Sequence, residues 1–304
     1  MRAILLRRLA TAIPTLFAVV LASFFLMRAA PGSPFDAERP LSDATRAALD
    51  RAYGLDRPLL EQLGRYLANL AQGDFGPSLV YKDFTVSALI AQGLPVSLML
   101  GGLALIVALV LGVGGGIAGA LRPGSLADRA IDLAASLSVA LPSFVTGPVL
   151  ALIFALWLNW LPVAGLGGPA SLVLPVIALA MPVAGAVAKL TRTGLSATLA
   201  QDHVRTARAR GLPPFVVLWH HALPPALIPV VSYLAPAAAG LLTGAVVIET
   251  VFGLPGLGRY FVQGALNRDY PLVMGVVILY AGLILLFNLI ADLLYGLLDP
   301  RARE

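Results

Sequence analysis

His203, His220 and His221 lie close together in the sequence, and such a group is where a zinc site or an acid–base pair would be sought first. No carboxylate joins them at metal-ligand spacing, and a chain without cysteine offers neither thiolate ligands nor disulfides. Neither of the two lysines, Lys82 and Lys189, follows a glycine, so the phosphate-cradling pattern GxxxxGK[ST] does not occur. Gly114 to Gly119 satisfies the dinucleotide pattern GxGxxG, yet no strand precedes it and its surroundings are those of an apolar helix. With Gly112, Gly115 and Gly116 it reads instead as a set of small residues that lets two membrane helices approach closely. The chemistry-bearing residues therefore predict no catalytic group, no cofactor site and no metal site.

What remains is a charged segment. Leu199 to Pro225, LAQDHVRTARARGLPPFVVLWHHALPP, is the longest polar interval between apolar runs in the second half of the chain. Val204, Ala207 and Gly211 recur at i, i+3 and i+7, which predicts a short helix with a narrow face of small residues. Arg205 and Arg208 are neighbours on such a helix, with Asp202 one turn earlier. Gly211 offers a stop, and Pro213-Pro214 prevent simple continuation. The spacing thus predicts a short basic helix on a tether, built to be held by another protein. His220 and His221 read as interfacial polar residues beyond it.

The elements that must position this segment are apolar. Hydrophobic residues make up 59% of the chain and charged residues 12%, with a mean hydropathy of +0.87. Soluble domains carry about 25% charged residues. We expect an all-α integral membrane protein in one domain, 1–304, with spans near 9–28, 94–121, 133–158, 170–189, 227–249 and 272–292. Arg2, Arg7 and Arg8 precede the first span, and Arg28 follows where a signal peptide would place small residues, so that helix is read as retained. Trp157 and Trp160 suit a membrane interface. With both termini on the cytoplasmic side, that side carries twelve basic and six acidic residues, against nine and ten outside. The net charge of +5 is accordingly an orientation signal, and nucleic acid needs no place in the account. Ser78 then lies outside and every histidine inside, which rules out a nucleophile–base pair. The span cores are uncharged, with Glu249 and Asp292 only at edges, so coupling to an ion gradient is disfavoured.

Two outer stretches carry further pattern. In the segment 29–93, Asp56-Arg57-Pro58 reads as a helix start, Leu59, Leu63, Tyr66, Leu67 and Leu70 as an apolar stripe, and Gly73 as a stop. After the fifth span, glycines and prolines in Phe252-Gly253-Leu254-Pro255-Gly256-Leu257-Gly258 forbid a continuing helix.

Arg205-Thr206-Ala207, then Gly211, then His221-Ala222-Leu223-Pro224 resemble the cytoplasmic loop of permeases in binding-protein-dependent ABC importers. The form of the loop is that of the peptide and nickel branch, although Arg205 and Thr206 stand where the wider family has Glu-Ala and His221 replaces a hydrophobic residue. Ala30 to Phe35, Gly73 to Ser78, Tyr81 to Phe84, Asn267 to Tyr270 and Leu298 to Arg301 extend the likeness to nearly the whole chain. They are most similar to the B-type membrane subunit of oligopeptide importers. The resemblance implies a type I importer permease fold of six transmembrane helices in a bacterial inner membrane. It implies a related second permease as heterodimer partner, two ATPase subunits that bind the ATP and magnesium, and a periplasmic binding protein. It also implies that Arg205, Thr206, Ala207, Arg208, Gly211, Leu212, Leu223 and Pro224 form the ATPase-coupling loop. Phe252, Gly253, Leu254, Pro255 and Gly256 would form a periplasmic gate loop. Cargo is left open among oligopeptides, dipeptides, nickel and glutathione, and a self-sufficient channel or secondary carrier is the reading from another class.

Overall fold

The computed structural model describes residues 2–29, 44, 47, 48, 51, 54–81 and 83–298. The sequence stretch Ala30 to Phe35, Lys82 and the end from Asp299 onward lie outside them. Among the described residues the regular structure is all helical, with a single isolated bridge, Pro77 to Thr85. In chain order the helices are α1 (Arg2–Ala29), α2 (Leu59–Leu70), α3 (Val86–Leu121), α4 (Leu126–Ala140) and α5 (Ser143–Leu150), which continues as a π-helical stretch, Ala151–Trp157. Then come α6 (Ala170–Leu199), α7 (Asp202–Ala209) and α8, a composite of Pro214–Val216, Val217–Ala222 and Leu223–Ala226. α9 (Ile228–Val251), α10 (Leu257–Leu266) and α11 (Tyr270–Leu298) complete the chain.

Five helices are long and apolar enough to cross a membrane, and a sixth crossing results if the bent pair α4–α5 counts as one span. That pair turns by 109°, at Leu141-Pro142. Proline removes an amide donor and restricts the residue before it, so an uncharged run that reads as one span, 133–158, is divided between two helices. Leu141 is accordingly extended, at φ −88° and ψ 119°. Trp157 and Trp160 at the far end of α5 are both exposed.

α3 and α6 pack together most extensively. The approach is made by glycine: a Cβ on Gly112 would lie 2.7 Å from Val187, and one on Gly116 would lie 2.5 Å from Thr191. Gly114, by contrast, faces open space. The glycine-rich run is thus a stripe with a four-residue repeat that brings two backbones together, as small residues do between helices in a bilayer. Leu100, Ala104, Ala108, Leu174, Ala178, Val187, Leu241 and Ile248 form the core between α3, α6 and α9.

α1 and α11 run antiparallel. Arg8 pairs with Asp292 at one end, and Arg28 lies over the ring of Tyr270, 6.0 Å from its centroid, at the other. Arg8 and Asp292 therefore share one end of the bundle. α3 runs parallel to α11, since Val86 and Leu89 pack with Leu272 and Val276, whereas Leu98 to Leu105 meet Phe287 to Ala291.

Candidate functional site

α7 has only eight residues, too few to be stable by itself in water. Asp202 in its first turn and Arg208 in its last complement the helix dipole, about 0.5 kcal/mol each at an exposed site. Tertiary packing does the rest. Val204 and Ala207 are buried in a cluster with Ala120 at the end of α3, Leu195 at the end of α6, and Val217, Ala222 and Ala226 of α8. Leu212 is half-buried against the same cluster, and Leu223 is buried. The small face read from the sequence is thus occupied by the chain's own bundle, and the helix is seated on it instead of projecting on a tether.

The opposite face is open. Asp202, Arg205, Thr206, Arg208, Arg210 and Gly211 are exposed, as is Pro224. Arg205 reaches Asp202 at 3.6 Å with both side chains largely in solvent, a pair that contributes little. Gly211 adopts φ +77°, donating its N–H to Arg208 O at 2.9 Å, while Leu212 N–H reaches Ala207 O at 3.4 Å. This left-handed reversal is the glycine stop expected after the helix. His203 Nε2 lies 3.1 Å from the carbonyl of His221, which ties α7 to α8. The His203 ring thus braces one short helix against the backbone of the next.

Just inside this end, Arg192 of α6 makes two bonds to Asp128 of α4, at 2.6 and 2.8 Å. Gly124 N–H donates to the same carboxylate at 2.9 Å, and Ser125 caps the helix by accepting from Asp128 N–H at 3.1 Å. In the sequence Asp128 and Arg192 carry no mark beyond their charge. The signal that could have found the cap was Ser125 three residues before Asp128, but nothing in the sequence pairs positions 128 and 192.

The second assembly meets α3 at Ser97, about 35 Å along its axis from Ala120 at a rise of ~1.5 Å per residue. α9 ends at Val251, and the chain folds back over itself. Phe252 and Leu254 insert into the core beside Leu100, Leu174 and Ile248, while Gly253 and Pro255 stay exposed. Gly253 takes φ +60°, Leu254 N–H donates to Glu249 O at 2.8 Å, and Gly165 N–H donates to Phe252 O at 2.8 Å. Glu249 is fully buried. Its Oε1 accepts from Ser97 Oγ at 2.6 Å and its Oε2 from Gly258 N–H at 2.7 Å. Ser97 Oγ in turn accepts from Leu257 N–H at 2.9 Å. A carboxyl that reads as a span-edge charge is the hub that fastens the 252–258 loop to α3. Burial of such a group is tolerated because its oxygens are satisfied.

This loop abuts a third contact. Ser78 Oγ donates to Asp269, which is itself fully buried and also accepts from Leu79 N–H and Val80 N–H, each at 3.2 Å. Tyr81 donates its hydroxyl to Gln263. Burial pushes the Tyr81 hydroxyl up from its ordinary value. Two sequence stretches singled out separately, 73–84 and 267–270, are therefore one structure.

A bundle of five or six helices apolar enough to cross a membrane, carrying a seated short helix at one end and a folded-back loop at the other, is the architecture of a multi-pass membrane protein. The chain belongs to the family described as "Binding-protein-dependent transport system inner membrane component", matched over residues 108–304. Over 301 residues it is 46% identical to the oligopeptide transport system permease protein OppB of Salmonella typhimurium, covering 98% of both chains. It is 39% identical to the dipeptide transport system permease protein DppB of Bacillus subtilis, covering 95% of this chain and 94% of that one. Among solved structures, an inward-facing form of the MetNI methionine ABC transporter superposes with a TM-score of 0.58 at 17% identity, over 69% of this chain and 96% of that one. A fold of the type I importer permeases is thereby shown, as the resemblance implied.

Proposed function

We propose that this chain is the membrane subunit through which an ATP-driven importer carries oligopeptides across the bacterial inner membrane. The observation that carries the reading is the 46% identity to OppB along 98% of the chain. The importer needs a related second permease, two ATPase subunits that bind ATP and magnesium, and a periplasmic binding protein that delivers the peptide. Both termini face the cytoplasm, the side to which the excess of basic residues belongs.

The exposed face of α7, with Arg205, Thr206 and Arg208, is the surface that enters a groove of one ATPase, a helix-in-groove contact. Ala207, Leu212 and Leu223 hold that face in position from behind, Gly211 ends the helix, and Pro224 marks the return of the chain to the bundle. Because Val204 and Ala207 pack on the ends of α3 and α6, displacement of α7 by closing ATPases moves the helices that line the core. ATP binding then biases the permease toward the state that the closed ATPases hold better. Phe252 to Gly256 form the outer gate, fastened to α3 through Glu249 and Ser97.

The test is ATP hydrolysis by the complex purified through this chain, in lipid, with its binding protein loaded with short peptides. Peptide-stimulated hydrolysis is the expected result. Stimulation by dipeptides alone would favour the second reading, for which the relation to DppB speaks. Solute flux through this chain without any ATPase would overturn both.

A further inference from the structure

At the end of the molecule opposite α7, a cavity of about 300 Å³ lies between the end of α1, α2, the segment 75–79 and the start of α11. Its floor is apolar, with Phe24, Phe75 and Met274. Among the described residues its walls carry four arginines, Arg28, Arg51, Arg57 and Arg65, and no carboxylate. Glu61 pairs with Arg57 at 2.6 Å and with Arg65 at 3.2 Å, so those two share one negative charge. Arg57 beside it holds the Glu61 carboxyl below its ordinary range, which keeps that charge in place at neutral pH. Among the described residues, Arg28 and Arg51 have no carboxylate within ion-pair distance. The Arg28 guanidinium lies over the Phe24 ring, 5.4 Å from its centroid.

Two polar atoms in the lining are buried without a partner among the described residues, the Tyr66 hydroxyl and Gln62 Oε1. Burial pushes the Tyr66 hydroxyl up to about 12, so it remains a donor at neutral pH. A surplus of guanidinium groups together with an unused hydroxyl donor is a site for an oxyanion. Arginine forks match the oxygens of a phosphate two at a time.

We propose that this cavity binds a phosphate group, supplied by the headgroup of an anionic phospholipid of the outer leaflet. Free phosphate offers the same oxygens, but two observations favour the lipid. Leu59 and Leu60 at the start of α2 are exposed, which suits a helix lying in the membrane interface. The apolar floor lies one turn deeper than Arg28 and Tyr270, as an acyl chain requires. The leaflet rests on the orientation proposed above, whereas the chemistry of the site does not depend on the cargo.

The assembled complex is compared, after extraction from vesicles of phosphatidylcholine with equal phosphatidylglycerol, as wild type and as the double variant Arg28→Gln/Arg51→Gln. Native mass spectrometry counts the retained lipid. The wild type is expected to hold phosphatidylglycerol that the variant holds roughly tenfold less tightly, about what one or two charge-assisted contacts provide. Arg259→Gln, an exposed arginine at the same end, should change nothing. Displacement of that lipid by inorganic phosphate, with equal phosphate binding in phosphatidylcholine alone, would keep the phosphate site but overturn the lipid as its source. Equal retention by wild type and variant would overturn the site itself. If the glutamine variant fails to assemble, Tyr66→Phe, which keeps the ring packing, carries the same comparison. Peptide-stimulated ATP hydrolysis, recorded in parallel, keeps a failure of this site distinct from a failure of the transport reading.

Discussion

Glu249 and two glycines explain each other. A Cβ on Gly256 would lie 2.3 Å from the Glu249 carboxyl, and one on Gly258 would lie 2.2 Å from Val246 Cα and 2.9 Å from Glu249 Oε2. In the sequence Gly253, Gly256 and Gly258 look alike, as turn formers. In the fold only Gly253 has a left-handed backbone, φ +60°, with its nearest Cβ neighbour at 3.9 Å. Gly253→Ala should therefore cost only the left-handed penalty, roughly 1–2 kcal/mol. Gly256→Ala must displace the carboxyl or the loop, an overpacking cost of about 3 kcal/mol or more. Thermal unfolding of the purified complex should rank Gly256→Ala well below Gly253→Ala. Equal melting temperatures would mean that Glu249 is not the hub of the outer loop.

At the scale of elements, α7 has two faces with separate tasks. Its inner face, Val204 and Ala207, seats it on α3, α6 and α8, and its outer face carries Arg205 and Arg208. Substitutions on the two faces should fail in different ways. Arg205→Glu/Arg208→Glu leaves the seat intact, so the complex should keep its melting temperature, while peptide uptake and ATPase stimulation fall at least about tenfold with the loss of a desolvated charge contact. Ala207→Glu drives a carboxylate into an apolar cluster, a cost of several kcal/mol, ~3 or more, so it should lower stability along with coupling. Wild-type uptake by the double arginine variant would show that α7 does not present its basic face to a partner.

At the scale of the whole molecule, topology follows from pairs at helix ends. Arg8–Asp292 and Arg28–Tyr270 make α1 and α11 antiparallel, and the parallel run of α3 and α11 puts α7 at the Arg8–Asp292 end. α2 and the segment 74–81 belong to the other end, beside the start of α11. Since the chain has no cysteine, an introduced one is unique. Thr206→Cys should react with an impermeant maleimide only in inside-out vesicles, and Asp74→Cys only in intact spheroplasts. Labelling of both positions from the same side would break the six-crossing arrangement, in which α4 and α5 together count as one span despite their 109° bend.

The sequence by itself determined the class, the number of apolar runs and the position of the basic segment. Each of these depends on local composition: length of an uncharged run, a glycine stop at Gly211, prolines at 213 and 214. Tertiary structure decided which side of each element is used. Periodicity marks Val204 and Ala207 as a face, but only packing reveals that the face is turned toward α3 and α6 and that the arginines are left outward. The Asp128–Arg192 clamp, the Ser78–Asp269 contact and the Glu249–Ser97 hub join residues 64, 191 and 152 positions apart. No local pattern encodes such partners, because the free energy of a buried hydrogen bond depends on which partner the fold brings to a donor–acceptor distance of about 3 Å.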